Sequence, residues 1–462
     1  MNMVVTEIEP EIKRLVQARD YGALRDIFKE WRPADLAELL SDLPADEQVL
    51  IFRILPHEVA AVTFEYLRFG TQRSLLHAMG DEETCRLVNE MSPDDRTALL
   101  EELPSAAVTQ LLTLLSPEEK AVAQSLLGYP EHSVGRLMTP DYIAARDEWT
   151  VKETFDFIRT HGRNSETLNV IYVVDEDGKL IDDVRIREFL LHPFEAKVRD
   201  VRDNVFVALK VSDSENDAVG LFRKYDRNTL PVIDSDQRLV GIVTIDDVLD
   251  VVERETTAEV QKIGGLEALD EPYTTISLPR MVKKRATWLI VLFAGEMLTA
   301  TAMQGYNKEI EKAAILAMFL PLIISSGGNS GSQATTLVIR AMAVGEVKLR
   351  DWFRVVKKEL ASGICLGLVL GTIGFFRIAL WQYLHFFDYG QYHWLVGATV
   401  GCALVGVVLW GTIAGAMLPF LLRRCGLDPA TSSAPFVATL VDVTGLLIYF
   451  NVALWILRGT ML

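Results

Sequence analysis

The chain has 462 residues, of which half are apolar, 63 are acidic and 46 basic, for a formal net charge of −17; there are four cysteines. An acidic balance repels nucleic-acid phosphates and excludes nucleic acid as a partner, and Cys85, Cys365, Cys402 and Cys425 form no C-x-x-C pair, which excludes a disulfide framework or a zinc knuckle. The charge is also segregated: residues 1–279 hold 54 acids and 30 bases, residues 280–462 hold 9 and 16, and the long apolar runs lie in the second stretch. An acidic soluble half thus precedes a basic membrane half. The first 30 residues are polar and carry no apolar signal-peptide core, so the soluble half is expected in the cytosol.

The first 130 residues carry a twelve-residue repeat at Leu43, Leu55, Leu67, Met79, Met91, Leu103 and Leu115. Several of these open a helix-start phrase, such as Met91-Ser-Pro-Asp-Asp95 and Leu115-Ser-Pro-Glu-Glu119, in which Ser is an N-cap, Pro the first helical residue and the acids the first turn. Short stacked helices follow from this pattern, with the repeated leucines in the core.

From Leu137 the pattern becomes strand, turn, strand, helix, twice at the same offsets: Asn169-Val-Ile-Tyr-Val-Val-Asp175 and Ile181-Asp-Asp-Val-Arg-Ile-Arg-Glu-Phe-Leu190, then Asn228-Thr-Leu-Pro-Val-Ile-Asp234 and Gly241-Ile-Val-Thr-Ile-Asp-Asp-Val248. This tandem resembles a pair of cystathionine-β-synthase (CBS) domains. The second copy keeps the family pattern, whereas the first carries Asp182-Asp183 at a Gly-Val step. CBS modules bind adenine nucleotides through a Thr and an Asp spaced like Thr244 and Asp247, so ATP is a ligand that the resemblance implies for the pair.

A segment from Glu253 to the Gly264-Gly265 pair is helical in pattern and leads to five apolar spans near 286–306, 313–342, 360–384, 393–421 and 434–457, each long enough to cross a bilayer. Lys and Arg cluster before the first span (Arg280, Lys283, Lys284, Arg285) and between the second and third (Lys348, Arg350, Arg354, Lys357, Lys358). The loop between the third and fourth has none. The positive-inside rule places the soluble half in the cytosol and Leu462 outside.

Asp442 lies in the last span with apolar neighbours for more than two turns on each side, and an acid at that depth is costly unless it serves an ion or a partner. The second span holds Ser325-Ser-Gly327-Gly328-Asn329-Ser-Gly-Ser-Gln333, too polar for a lipid-facing helix. Non-helical backbone at that depth needs protein or water to satisfy it; close packing through small residues is the competing reading, and the glycines can serve both. Asn329 and Gln333, one turn apart, are candidates to line a wet path. Asp442 with such amide and carbonyl groups makes the wall expected for a cation. A hydrated Mg²⁺ keeps its waters and is met by carboxylates outside them, and one Asp per subunit becomes a symmetric pair only on the two-fold axis of a dimer. Glu296 is the other acid within a span; Arg377, near the far end of the third, reads as a cation snorkelling to the interface.

Gly327-Gly-Asn-Ser-Gly-Ser-Gln-Ala-Thr335, Leu427-Asp428-Pro-Ala430 and Pro435-Phe-Val-Ala438-Thr-Leu-Val-Asp442-Val-Thr-Gly445 resemble the MgtE-type magnesium channels, and the domain order is similar over the whole chain. The fold class implied is multidomain: an all-α helical-repeat N-domain (1–130), an α/β tandem CBS pair (137–252), a connecting plug helix and linker (253–280) and an all-α transmembrane domain of five helices (281–462). Ala434 stands where some members carry Asn. The resemblance implies a homodimeric, Mg²⁺-selective channel of the inner membrane, not an enzyme, gated by cytosolic Mg²⁺. Its pathway candidates are Asp442, Gly327, Gly328, Asn329, Gln333, Ala438 and Asp428.

The sequence supplies a physical route to such gating. Asp94 and Asp95 open an N-domain helix, Asp246, Asp247 and Asp250 end the second CBS copy, and Glu253, Glu255 and Glu259 follow on the connecting helix. These acids repel when bare and pack when Mg²⁺ bridges them. Asp226 is kept with them, while Asp213, Glu215 and Asp217 read equally as a solvated face. A divalent cation moving inward through 100 mV gains about 4.6 kcal/mol, so passive uptake needs no pump chemistry. Alternatives are a broader divalent (Mn²⁺, Co²⁺) transporter, a CBS-regulated anion channel, and a sensor whose membrane part is only an anchor.

Overall fold

Each twelve-residue repeat closes one helix and opens the next. The structure, a computed structural model, describes residues 11–461 apart from 13, 16, 17, 19, 270–272, 274 and 275. Short helices run in series from Tyr21–Phe28 to Pro117–Leu127. Leu43, Leu55, Met79, Met91, Leu103 and Leu115 each end a helix with ψ between 143° and 155°, and the Pro, Ser or Gly that follows starts the next. Residues at the repeated corners turn inward: Leu43, Leu55, Leu67, Met91 and Leu115 are buried, and Met79 and Leu103 partly so.

The next two copies have one topology. Strand β1 (Ala144–Arg146) runs parallel to β2 (Val170–Val174), which pairs antiparallel with β3 (Leu180–Arg185); β4 (Leu209–Lys210), β5 (Thr229–Ile233) and β6 (Leu239–Thr244) repeat the order. The register repeats too, Val170 opposite Arg185 and Thr229 opposite Thr244, each with an irregularity near the far end. At the point of departure, buried Asp182 accepts the Asn204 N–H (2.8 Å) and Asp183 meets Arg227 (3.3 Å), so the two acids tie the first copy to the second.

The chain divides into two compact units, Met1–Arg254 and Glu255–Leu462. One helix, Ile245–Ile263, closes the second CBS copy and continues as the connecting segment, so the expected domain boundary at 252/253 falls inside a helix. It stops at Gly264-Gly265, where φ is +75° at Gly265; a Cβ there would also lie 2.8 Å from the Trp288 ring.

Among the described residues five helices are long and apolar enough to cross a membrane: Leu278–Gly305, Ala314–Ala343, Leu349–Tyr383, His393–Arg424 and Ala434–Leu457. The fourth packs against the second, third and fifth, and the first lies mainly on the fifth. The Gly-Gly-Asn segment is helical, part of an unbroken helix Leu320–Ala343. The structure therefore departs from non-helical backbone here, and the reason is packing. A Cβ on Gly411 would sit 2.4 Å from the Gly327 carbonyl oxygen and one on Gly415 2.2 Å from that of Gly331, so the second and fourth spans touch backbone to backbone. Thr335 Oγ1 donates to the Gly415 carbonyl across this contact (2.8 Å).

Overpacking a close helix crossing costs about 1–3 kcal/mol or more. Gly415→Val is expected to lower the melting temperature of the detergent-purified protein or abolish its monodisperse peak, whereas Gly305→Ala, with open space around its Cβ position, should melt as the parent does. Equal melting of both variants would contradict this crossing.

Candidate ion pathway and divalent-cation sensor

In the membrane unit the second and fifth spans bring three of the pathway candidates together. The Cβ position of Gly328 is 3.4 Å from that of Ala438 and 3.6 Å from Asp442 Oδ1, so the half-buried carboxylate lies over bare backbone. Gly327, its neighbour, is buried against Val407 and Val441 and serves packing. Ser325, Asn329 and Gln333 are exposed one turn apart, with Asn329 Nδ2 3.4 Å from Ser325 Oγ, and form a polar stripe along the helix. Ala434 contributes through its carbonyl, which accepts from Ser332 Oγ (2.9 Å). Glu296 of the first span is the neighbouring acid whose charge acts on Asp442. Two carboxyl groups so placed hold a proton or a cation between them.

In the soluble unit the carboxylates converge more densely. Asp94 is buried at the first turn of the helix Pro93–Glu102, and its Oδ1 has no hydrogen-bond partner. Ser92 ties two further acids, donating its N–H to Glu65 Oε1 (2.7 Å) and its hydroxyl to Asp95 Oδ2 (2.8 Å). Thr244 Oγ1 donates to Asp247 Oδ2 (2.7 Å). Burial, then the charges of Asp94, Asp246 and Asp250, push Asp95 up to about 6; burial, then Asp95, pushes Glu65 up to about 7. Asp94 rises through burial and Glu166, and Asp247 through burial and Asp94. Glu166 itself rises through burial and the charges of Asp246, Asp95 and Glu65, and Asp250 through burial and Glu253. The cations nearby are committed: buried Arg96 donates to the Val88 carbonyl (3.1 Å) and pairs with Glu119. Among the described residues no three acidic, imidazole or thiol groups stand at direct metal-ligand spacing. The arrangement instead suits an ion met through its waters.

Three parts of the chain match family profiles: residues 31–132 the MgtE intracellular N domain, 134–193 and 198–254 the CBS domain, and 320–452 MgtE, described as a divalent cation transporter. The chain is 36% identical to the magnesium transporter MgtE of Thermus thermophilus over 97% of its own length and 98% of that protein. This chain belongs to the MgtE family. It is also 27% identical to the magnesium transporter MgtE of Bacillus subtilis over 98% of each chain. Among solved structures it is similar to the cytosolic domain of the Mg²⁺ channel MgtE in complex with ATP, at 32% identity and a TM-score of 0.50, covering 52% of this chain and 98% of that one. The soluble part of a magnesium transporter, at 23% identity and a TM-score of 0.51, shares the fold over 54% of this chain and 99% of that one. The family and the five apolar helices make it a multi-pass membrane protein.

Other sequence candidates fall elsewhere in this MgtE protein. Glu255 and Glu259 belong to the second unit, where Glu259 is raised by burial and by the charges of Glu255 and Asp428. Asp428 is tied into the loop before the last span. It accepts the Ala430 N–H (2.9 Å) and pairs with Lys262 Nζ (2.8 Å); despite partial burial, which opposes it, these two contacts hold its carboxyl below the usual range. Asp226 is an exposed left-handed residue (φ 51°) ending the helix Glu215–Tyr225, which gives it a structural role. Asp217 completes a capping box with Ser214, Asp213 accepts the Lys210 N–H (2.8 Å), and Glu215 pairs with Arg254. Sequence reading missed Glu65, Glu166 and Lys262. Each is an ordinary helix-end or surface charge in sequence, and only the tertiary arrangement makes it a neighbour of the site.

Because the packed soluble unit holds these protons more tightly than separated domains would, protons stabilise the packing. That contribution is complete below the ordinary carboxylate range and is lost as pH rises through about 6 to 7. With divalent ions chelated, proteolytic cleavage between the N-domain and the CBS pair is therefore expected to be slow near pH 5 and fast above about pH 7. Asp94→Asn with Asp247→Asn should flatten the profile; a profile that rises equally in the variant would remove these acids as its cause.

Proposed function

We propose that this MgtE-family protein is a homodimeric Mg²⁺ channel mediating passive uptake and closed by cytosolic Mg²⁺. The observation that carries the pathway is Asp442 lying over Gly328 and beside Ala438, a carboxylate at membrane depth with close-packed backbone beneath it. Asp442 attracts the hydrated ion, and the polar stripe Ser325, Asn329 and Gln333 supplies oxygens and amides for its waters. A second copy brings a second Asp442 to the axis. An ion that keeps its hydration shell at Asp442 is favoured over divalents that shed water readily, which favours Mg²⁺, although the matched family's description covers divalent cations in general. The membrane half lies in the inner membrane, with the soluble domains in the cytosol and Leu462 outside.

The sensor reading rests on buried Asp94 with its unpartnered Oδ1, facing Glu166, Asp95 and Asp247. Mg²⁺ among these acids replaces protons and repulsion with attraction, and so binds the packed state preferentially. One helix, Ile245–Ile263, carries Asp246, Asp247 and Asp250 at one end and Lys262, paired with Asp428, at the other. Holding that helix rigid at its sensor end keeps Lys262 on the loop leading to the last span, and releasing it opens the mouth. ATP is carried as a modulator of the CBS pair on likeness to the ATP complex. Thr244 and Asp247 offer a hydroxyl and a carboxylate suited to a ribose, while Asp94 and Asp246 oppose bare phosphates and favour the nucleotide with Mg²⁺.

In proteoliposomes, Asp442→Ala is expected to abolish Mg²⁺ flux with the dimer intact, and Glu296→Gln to reduce it while leaving Mg²⁺ preferred. Normal flux through Asp442→Ala would remove it from the pathway.

Neutralising Asp94, Asp95, Asp247 and Asp250 together should leave channels open at millimolar internal Mg²⁺. Retained inhibition at the parental concentration would sink the sensor.

A further inference from the structure

Arg377 is a cation that neither the pathway nor the sensor uses. It lies six residues before the end of the third span, on a face where Ile373, Phe376 and Leu380 are all more than half exposed. Its guanidinium stacks on the Trp381 ring, 4.0 Å from the centroid. Among the described residues it makes no ion pair and no hydrogen bond. The acid of the adjoining loop, Asp388, is already engaged by Gln382 Nε2 (3.1 Å) and the Gly390 N–H (2.9 Å). Stacking uses the flat face of a guanidinium and leaves its in-plane N–H edge free. That edge borders an open groove of about 800 Å³, lined by Ile373, Phe376, Leu380, Trp381 and Trp394 and overwhelmingly apolar.

We propose that this groove binds an anionic phospholipid, the Arg377 fork holding its phosphate and Ile373, Phe376 and Leu380 holding the first part of an acyl chain. An unpaired arginine on a lipid-facing helix is costly, and a phosphate at headgroup depth is the counter-ion available there. Bidentate guanidinium–phosphate bonds fit the free edge, and the surrounding Trp381, Tyr383 and Trp394 are the residue types found at membrane interfaces. A second copy of the chain is the less suitable occupant. The uncovered polar groups that a two-fold contact would bury, Ser325, Asn329 and Gln333, lie on the second span, whereas the groove beside Arg377 is mostly apolar and its one fixed charge is positive.

Native mass spectrometry of the full-length protein in detergent tests this, with phosphatidylglycerol, phosphatidylcholine or inorganic phosphate added. The parent is expected to retain phosphatidylglycerol in preference to phosphatidylcholine, and inorganic phosphate should not displace it. Arg377→Gln should cut retention roughly tenfold and Arg377→Lys less, since a point charge replaces a fork, with melting temperature and oligomeric state unchanged. Equal retention of the two lipids by the parent would overturn the proposal without recourse to any variant. So would full retention by a folded Arg377→Gln protein, displacement by inorganic phosphate, or a changed oligomeric state in Arg377→Gln, which would assign the face to a second copy.

Discussion

The backbone contact between the second and fourth spans is the constraint on which the membrane unit depends. With carbonyls of Gly327 and Gly331 pressed against Gly411 and Gly415, neither helix can rotate or slide without a clash. That fixes the face which the second span offers to the fifth, and so sets Gly328 beneath Asp442. In lipid no hydrophobic force draws helices together, and small residues permit the approach that makes dispersion contacts and interhelical hydrogen bonds worth having. The Thr335 hydroxyl on the Gly415 carbonyl is one such bond. A polar, glycine-rich helix is thus held by its glycines on one side while Ser325, Asn329 and Gln333 stay uncovered on another.

The soluble unit solves the opposite problem, since its acids are kept close although they repel. The cost is met by the packing of the helical series, whose corner residues bury one apolar side chain every twelve positions, and by Ser92, which donates to two carboxylates at once. Arg96 offsets part of the charge but is anchored to Val88 and Glu119. Energy stored as repulsion in this way is available to a ligand that cancels it, and a divalent cation cancels more per ion than a proton.

Much of the architecture was legible because it repeats or is long. The corner leucines, the duplicated strand pairs and the five apolar runs are periodic signals that local context cannot overwrite. Asp442 was legible for a different reason, its cost at that depth. The helical state of the Gly-Gly-Asn segment was not legible, because composition reports that a helix is unsuited to lipid and not that another glycine helix lies against it. Glu65, Glu166 and Lys262 were hidden by distance in sequence: Glu65 meets Asp95 only through the turn of the helical series, and Lys262 meets Asp428 across 166 residues. The boundary drawn at 252/253 followed the resemblance to a CBS pair and a separate plug helix, whereas the helix Ile245–Ile263 runs through it.

In the proposed gating, that unbroken helix lets two distant groups of carboxylates act on one equilibrium. Asp246, Asp247 and Asp250 occupy its first two turns, Glu255 and Glu259 its middle, and Lys262 its last turn. A flexible linker at 252/253 would let the sensor acids separate without moving Lys262, and the coupling would vanish. In that proposal, a continuous helix carries a change at its sensor end to Lys262 at its other end. Gly264 and Gly265 then end the rigid element immediately beyond Lys262, so that the lever finishes where it meets Asp428 and the chain is free to turn into the first span. In the proposed gating, the placement of the glycines after the lysine, and not before it, lets the helix act as an arm with a working end.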